Sequence, residues 1–126
     1  MSKLSVAKEQ YIENIFELSP KNHGVRITDI SKKMDVSKAC VTNTVQELTE
    51  LGYLTNEKYQ LVFLTKKGLT YAKTIDARHQ IIKDFFVNVL KVDEELADSD
   101  ACLIEHIINP SIVDKMKLYL EDEKPD

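Results

Sequence analysis

Residues 25–54 read VRITDISKKMDVSKACVTNTVQELTELGYL, and this stretch decides the fold. Thr28 is typical of a helix N-cap and predicts a helix that runs to about residue 34. Ser37 predicts a second N-cap, for a helix over residues 38–51 that Gly52 ends in the C′ position. Two helices joined by so short a connection predict a helix-turn-helix.

The flanking segments complete a winged helix. Residues 5–18 carry apolar side chains at helical spacing and predict a helix before the helix-turn-helix. Residues 53–55 and 61–64 are rich in β-forming residues and flank the polar stretch 56–60. They therefore predict two strands joined by a turn, which is the wing.

The rest of the chain is predicted to be helical. We expect Thr65 to cap a long helix to about residue 90, Asp93 a helix to about residue 108, and Ser111 a last helix to about residue 120. The predicted fold class is therefore mainly α. It consists of an N-terminal winged helix-turn-helix domain over residues 1–74 and an all-helical domain over residues 75–126.

Charge is divided unevenly along the chain. Residues 1–78 hold 12 Lys and Arg against 9 Asp and Glu, whereas residues 79–126 hold 5 against 12. A basic half can meet phosphates and an acidic half attracts cations, although either can also be ordinary solvated surface. No apolar run approaches the roughly 18 residues of a membrane span, and the N-terminus has no apolar signal core. We therefore expect a cytoplasmic protein.

The second helix of the helix-turn-helix has a face suited to reading DNA. Thr42, Asn43 and Gln46 can donate and accept hydrogen bonds, and they share one side of the predicted helix. Polar helix faces are usually just solvated, but a wing and a basic half accompany this one, so we expect binding to double-stranded DNA. The residues expected to contact DNA are Arg26, Thr28, Ser37, Lys38, Ala39, Thr42, Asn43, Gln46 and Lys58, with Lys32, Lys33, Lys66 and Lys67 as further phosphate contacts.

A second constellation lies in the acidic half. Cys102, Glu105 and His106 are spaced i, i+3, i+4, which places a thiolate, a carboxylate and an imidazole on one face of a predicted helix. This donor set suits a transition metal, whereas calcium and magnesium prefer oxygen. Local spacing alone leaves a metal site and a structural cluster equally open, since cysteine is often a core residue.

Four segments resemble the diphtheria toxin repressor (DtxR/MntR) family of iron- and manganese-dependent repressors. They are residues 25–54 as quoted above, LVFLTKKG at 61–68, RHQIIKDFFVNVL at 78–90 and ACLIEHIINPSIVDKM at 101–116. The resemblance covers nearly the whole chain, without the SH3-like domain that some members have. It implies that the metal ligands are His79, Cys102, Glu105 and His106, with Glu13 at a position that is a ligand in the manganese branch.

The chain departs from the family pattern at several positions. Gln10 stands where the family has Met or Asp, so it can offer only a neutral amide oxygen to a metal. Lys83 and Asp98 stand at positions of the ancillary site of the iron branch, and the positive charge of Lys83 argues against a site of that form. Cys102 replaces a carboxylate that the binuclear manganese arrangement uses, which argues against two metals.

The donor set bears on metal identity. A thiolate is softer than a carboxylate, so Cys102 favours iron(II), and the cysteine at this position marks the iron branch of the family. Manganese(II) is the alternative, and cobalt(II), nickel(II) or zinc(II) can substitute in vitro. The resemblance implies a metal-dependent repressor of metal-uptake genes, not an enzyme, that binds a palindromic operator as a homodimer.

Residues 93–120 are expected to supply the dimer interface, since their apolar residues exceed the needs of one small core, although some of them must pack internally. They are Leu96, Leu103, Ile104, Ile107, Ile112 and Met116. In this hypothesis the metal joins the first helix and the long helix to the Cys102 helix and so fixes the spacing of two DNA-reading helices, about 34 Å apart.

Three other readings of the residues stay open at this point. A Cys/His/Glu cluster can support hydrolysis, although only 3 glycines are available to shape an active site. A metal-independent winged-helix regulator would use Cys102, Glu105 and His106 for structure alone. A protein-interaction module would use the winged-helix fold without binding DNA.

Overall fold

The computed structural model describes residues 3–56 and 61–122, which divide into two compact units. The N-terminal unit extends to residue 73 and the C-terminal unit begins at residue 74. The elements of the described residues are, in order, α1 (Val6–Leu18), β1 (Val25–Arg26), α2 (Ile27–Met34), α3 (Lys38–Glu50), β2 (Leu54–Asn56), β3 (Leu61–Leu64), α4 (Lys66–Asn88), α5 (Glu94–Ile104) and α6 (Pro110–Asp122). The predicted fold, mainly α with a winged helix-turn-helix, is confirmed.

The N-terminal unit packs α1, α2 and α3 against a small antiparallel sheet with the strand order β1-β3-β2. Val25 pairs with Val62, and Leu54 pairs with Leu64, so β3 is the central strand. Asn22 ties the preceding loop to this strand, because its side chain exchanges two hydrogen bonds with the backbone of Leu64 (2.8 and 2.9 Å).

The apolar face predicted for α3 is the one that enters the core. Val41, Val45 and Leu48 are each 0% exposed, and their i, i+4, i+7 spacing follows one side of the helix. Ser37 caps the helix as predicted, since its Oγ accepts the N–H of Cys40 at 3.1 Å. Gly52 follows the helix with a φ of 90°, in the left-handed region that favours glycine.

The start of α2 differs from the prediction. The helix begins at Ile27 with Arg26 in the N-cap position, and no side chain caps it, so Thr28 lies inside the first turn. The reason is that Val25 and Arg26 pair with β3, and the chain turns directly from this strand into the helix. Sheet pairing therefore overrides the local capping preference of Thr28.

The C-terminal unit has its own core. Ile82, Ala101 and Val113 are buried, one from each of α4, α5 and α6. Ile104 and Met116 pack against this cluster. Of the six apolar residues considered for a dimer interface, these two therefore pack internally, as was expected of some of them. The other four predicted interface residues are exposed: Leu96, Leu103, Ile107 and Ile112.

Helix ends in the C-terminal unit also differ from expectation. Helix α5 ends at Ile104, earlier than the predicted residue 108. Helix α6 begins at Pro110, so Ser111 lies inside the helix and is not its cap as predicted. The backbone N–H of Ser111 donates to the side-chain oxygen of Asn109 at 2.9 Å, and Asn109 therefore caps the helix. A proline suits the first position of a helix because the N–H it lacks would have no partner there. Among the described residues, no helix is long and apolar enough to cross a bilayer.

Candidate metal centre and nucleic-acid interface

The C-terminal unit brings three predicted metal ligands together. His79 lies near the middle of α4, Cys102 lies in the last turn of α5, and Glu105 is the C-cap of α5. One donor atom from each of them, a ring nitrogen, a sulfur and a carboxylate oxygen, lies within 4.8 Å of the other two. Residues from positions 79 and 102–105 thus converge as the family resemblance implies.

Glu105 is the buried centre of this cluster. Its side chain is 0% exposed, with Oε2 lying 2.8 Å from Nδ1 of His79 and Oε1 lying 3.2 Å from Nε2 of His106. Its backbone carbonyl accepts a hydrogen bond from the guanidinium of Arg78. A carboxylate removed from water is tolerated when a cationic or hydrogen-bonding partner lies beside it, and the imidazole of His79 supplies such a partner here.

The electrostatics around His79 favour its protonated form when no metal is bound. Burial alone would lower the pKa of His79, but hydrogen bonds and charges from Asp98 and Glu105 outweigh burial and raise it. The hydrogen bond with His79 lowers the pKa of Asp98 in turn, with help from the charge of Lys83. Below this raised pKa, a metal ion at this site has to displace a proton from His79.

The donor set fits a divalent transition metal. Sulfur, imidazole nitrogen and carboxylate oxygen bind such ions at roughly 2.0–2.3 Å, so donors of one site lie about 3–4.5 Å apart. The donor atoms of His79, Cys102 and Glu105 lie within 4.8 Å of one another, which is close to the separation that a shared metal ion requires. The mixture of soft and borderline donors excludes calcium and magnesium as preferred ions.

The local structure that holds the ligands is not the single helix that the spacing predicted. Glu105 keeps helical dihedral angles and its N–H donates to the carbonyl of Ala101 at 2.9 Å, but His106 lies in the turn after the helix. His106 is nevertheless buried, with its side chain 1% exposed, and it contacts Glu105 directly. The turn after α5 thus brings His106 next to Glu105, as the predicted helical face would have done.

Gln10 and Glu13 lie on α1 in the N-terminal unit, where both side chains are half-buried. The backbone carbonyl of Gln10 accepts a hydrogen bond from Asn14 at 2.7 Å. Their assignment as metal ligands stays a prediction.

The face of α3 that the sequence predicted to read DNA is exposed. Lys38, Ala39, Thr42, Asn43 and Gln46 all lie on the surface of the N-terminal unit. Thr42 donates its hydroxyl hydrogen to the carbonyl of Lys38 at 2.9 Å, so its oxygen is left to accept hydrogen bonds from a partner.

The neighbouring residues differ in how available they are. Arg26 is exposed and Thr28 is half-buried, while Lys58 lies outside the described residues. Lys33 forms an ion pair with Glu17 at 2.6 Å. Lys67 donates to the carbonyl of Leu51 at 2.9 Å and lies over the ring of Tyr53, 4.3 Å from its centroid. These two lysines therefore have structural contacts that compete with the predicted phosphate contacts.

Lys83 and Asp98, which the sequence analysis considered only as positions of an ancillary site, make contacts beside the cluster that it did not predict. Nε2 of His79 lies 2.9 Å from Oδ1 of Asp98, and Nζ of Lys83 lies 3.6 Å from the same oxygen. Asp98 precedes Glu105 by seven residues, or two helical turns, and Lys83 follows His79 by four, so helical periodicity is the signal that could have found them. Cys40 of α3 is exposed, and its sulfur lies 3.5 Å from the hydroxyl oxygen of Tyr11.

Comparison with known protein families gives two matches that together cover nearly the whole chain. Residues 3–62 match the N-terminal DNA binding domain of the iron dependent repressors. Residues 65–126 match the metal binding and dimerisation domain of the same group.

Individual relatives agree with this. The chain is 34% identical over 122 residues to an uncharacterised HTH-type transcriptional regulator of Methanocaldococcus jannaschii, covering 96% of this chain and 98% of that protein. It is 34% identical over 119 residues to the HTH-type transcriptional regulator MntR of Bacillus velezensis, covering 92% and 83% respectively.

Solved structures with the same fold include two longer regulators. ScaR with bound Zn2+ superposes with a TM-score of 0.79 at 26% identity, over 90% of this chain and 53% of ScaR. The manganese regulator SloR superposes with a TM-score of 0.73 at 27% identity, over 96% of this chain and 55% of SloR. This chain thus spans about half the length of these two proteins.

Proposed function

Because the chain belongs to the iron dependent repressor family of metal-dependent transcriptional repressors, we propose that it represses metal-uptake genes in response to iron(II). In this proposal it acts in the cytoplasm as a homodimer on a palindromic operator. The domains of the family indicate DNA and a second copy of the chain as partners. Its members are transcriptional regulators, which disfavours the hydrolytic reading of the Cys/His/Glu cluster.

The observation that carries the metal response is the convergence of His79, Cys102 and Glu105 in the C-terminal unit. Three donors of different chemical type, one of them the buried carboxylate of Glu105, lie within 4.8 Å of one another, and this arrangement supports a transition-metal site. His106 contacts Glu105 and is proposed as a fourth ligand. Gln10 and Glu13 are proposed as further ligands on the strength of the family resemblance.

The thiolate of Cys102 supports iron(II) as the physiological metal, because a soft donor favours iron over manganese. Manganese(II) is a second candidate, and the observation that favours it is the similarity to SloR, which is described as a manganese regulator. Cobalt(II), nickel(II) and zinc(II) are expected to bind in vitro whichever metal the cell uses.

DNA reading is assigned to the exposed face of α3. Asn43 and Gln46 are the proposed base-reading side chains, because an amide can make two hydrogen bonds to an adenine edge in the major groove. Ser37, Lys38 and Ala39 stand at the start of the helix, where backbone N–H groups and a cationic side chain can meet phosphate. Thr42, Arg26, Thr28 and Lys58 complete the proposed contact set.

The test is fluorescence anisotropy of labelled DNA from the region upstream of the protein's own gene, under anaerobic conditions and at fixed ionic strength. Protein is titrated with chelator present and then with iron(II), manganese(II), cobalt(II) or zinc(II). We expect tight binding only with metal and, per free ion, strongest with iron(II). Tightest binding with manganese(II) would make the chain a manganese regulator of the same family.

Two variants decide whether the cluster is the sensor. Glu105→Gln and His106→Ala are expected to abolish the metal dependence, whereas Glu121→Gln removes a carboxylate from an exposed position of α6 and is the matched control. Equal DNA binding with and without every metal, or intact metal dependence in both cluster variants, would leave a metal-independent winged-helix regulator. Failure to bind DNA of any sequence, at any salt concentration, would favour a protein-interaction module.

A further inference from the structure

His79 has carboxylates at both of its ring nitrogens. Nδ1 lies 2.8 Å from Oε2 of Glu105, and Nε2 lies 2.9 Å from Oδ1 of Asp98. The two carboxylates differ in their surroundings, since the Glu105 side chain is 0% exposed and the Asp98 side chain is 54% exposed. The Nδ1 side of the ring therefore faces Glu105 of the proposed metal cluster, and the Nε2 side faces Asp98 of α5.

Asp98 is in turn held from α4. Nζ of Lys83 lies 3.6 Å from Oδ1 of Asp98 and 3.5 Å from Oε1 of Glu94. Lys83 is four residues after His79, so both side chains project from the same face of α4 toward α5. The side chains of Lys83 and His79 are 21% and 17% exposed, so both are largely shielded from solvent.

We propose that Asp98, held in place by Lys83, is a positioning residue that accepts the Nε2–H of His79 and keeps Nδ1 turned toward Cys102 and Glu105. This inference rests on the proposed function, in which His79 is a metal ligand. A histidine ligand commonly donates its second N–H to a carboxylate, which fixes the ring orientation and the tautomer that can bind an ion. Here the receiving carboxylate comes from α5, the helix that also carries Cys102 and has Glu105 as its C-cap.

The contacts of Asp98 support positioning over direct ligation. The ammonium nitrogen of Lys83 lies 3.6 Å from Oδ1 of Asp98. A second divalent ion bound by Asp98 and the Nε2 of His79 would therefore lie close to this positive charge and be repelled by it. Lys83 already supplies the positive charge that the carboxylates of Asp98 and Glu94 attract. The ring nitrogen that Asp98 contacts is thereby reserved for a proton, and the other nitrogen is reserved for the metal.

The experiment uses the full chain and zinc(II), which is redox-inert and diamagnetic. Zinc affinity is measured by competition with a chromophoric chelator for the wild type, Asp98→Ala, Asp98→Asn and Asp100→Ala. Asp100→Ala is the matched control, because it removes an exposed aspartate from the same helix. The His79 Nε2–H of the zinc-loaded protein is followed by 1H–15N spectroscopy, assigned by its absence from His79→Gln, and its exchange with water is measured.

We expect Asp98→Ala to lower zinc affinity about 10- to 100-fold and to speed the exchange of the Nε2–H. Asp98→Asn should recover part of both, since an amide oxygen also accepts an N–H, and Asp100→Ala should change neither. Lys83→Met should lower the affinity a few-fold, with recovery in Lys83→Arg, because an exposed ion pair contributes little by itself.

Several outcomes would overturn the proposal. Wild-type affinity and wild-type exchange in Asp98→Ala would remove any role for Asp98, and an affinity loss with unchanged exchange would make that role merely structural. An equal loss in Asp98→Ala and Asp98→Asn, with fewer zinc ions bound per chain, would make Asp98 a ligand. If the wild-type chain binds no zinc, the proposed function itself is rejected. If the wild type binds zinc but the Asp98 variants do not behave as expected, only the positioning role of Asp98 is rejected.

Discussion

Oε2 of the buried Glu105 lies 2.8 Å from Nδ1 of His79, so a proton and a metal ion compete for the same ring nitrogen. The pKa of His79 is raised above its ordinary 6.5 because the bonds and charges of Asp98 and Glu105 outweigh burial. Metal affinity should therefore fall as the pH falls through this raised value, by about tenfold per pH unit for each proton displaced.

Calorimetric titration with zinc(II) between pH 6 and pH 8, in buffers of different ionisation enthalpy, measures this proton release. The stability of the metal-free protein should show the opposite trend and decrease as the pH rises. A raised pKa stabilises the folded protonated form, so this contribution is complete below the unfolded pKa and is lost as the pH rises through the folded pKa. A zinc affinity independent of pH over this range would contradict the competition.

Cys102 is expected to set metal preference. Cys102→Glu exchanges a soft sulfur for a hard oxygen, so the ratio of cobalt(II) to manganese(II) affinity should fall, by about tenfold or more. Cobalt(II) absorption in the visible range and competition with a chelator give the two affinities. Cys40→Ala changes the other exposed thiol and should leave the ratio unaltered. An unchanged ratio in Cys102→Glu would mean that the thiolate does not bind the ion.

Asn43 and Gln46 should carry sequence discrimination. Each alanine substitution is expected to cost about 1–3 kcal/mol in binding to the preferred operator and little in binding to unrelated DNA. Lys38→Ala should instead weaken binding to all sequences and reduce the slope of log affinity against log salt by about 1. Asn88→Ala, an exposed amide at the end of α4, is the control. Anisotropy titrations at several salt concentrations distinguish these patterns, and equal losses on all sequences for Asn43→Ala would exclude base reading by that residue.

The hydroxyl of Tyr71 donates a hydrogen bond of 2.6 Å to Oε2 of Glu9, whose side chain is buried on α1. Tyr71→Phe removes this donor from a carboxylate shielded from water, which should lower the free energy of unfolding by about 1–3 kcal/mol. Urea denaturation followed by circular dichroism measures the change. Tyr119→Phe keeps an exposed ring that packs edge-on against Phe85 and should be neutral. Equal stability of the two variants would show that water replaces the lost donor.

Local signals in the sequence predicted the part of the fold that local chemistry determines. Ser37 and Gly52 mark the ends of α3 because a hydroxyl cap and a left-handed glycine act within one turn. Thr28 misled for a non-local reason, since the pairing of β1 with β3 starts α2 before that residue. The end of α5 was placed too late because no glycine or proline stands between residues 104 and 109 to mark it.

The candidate site could likewise be predicted where local spacing determines it and not where distant residues do. The spacing of Cys102, Glu105 and His106 indicated a cluster, but the family resemblance was needed to add His79, which approaches from another helix. The structural role of Lys67 was hidden because its contacts with Leu51 and Tyr53 come from residues that precede it by more than a dozen positions. A lysine in a basic segment carries no local mark that separates a phosphate contact from a fold contact.

The seven-residue separation of Asp98 and Glu105 restricts how this part of the chain can change in length. Seven residues are close to two helical turns, so both carboxylates reach the single ring of His79 from one stripe of α5. Deleting or inserting one residue between them would rotate one carboxylate by about 100° and break the pairing. The connection at residues 89–93, before α5 begins, carries no such phase requirement. Length variation among functional homologues should therefore accumulate before residue 94 and be absent from 98 to 105.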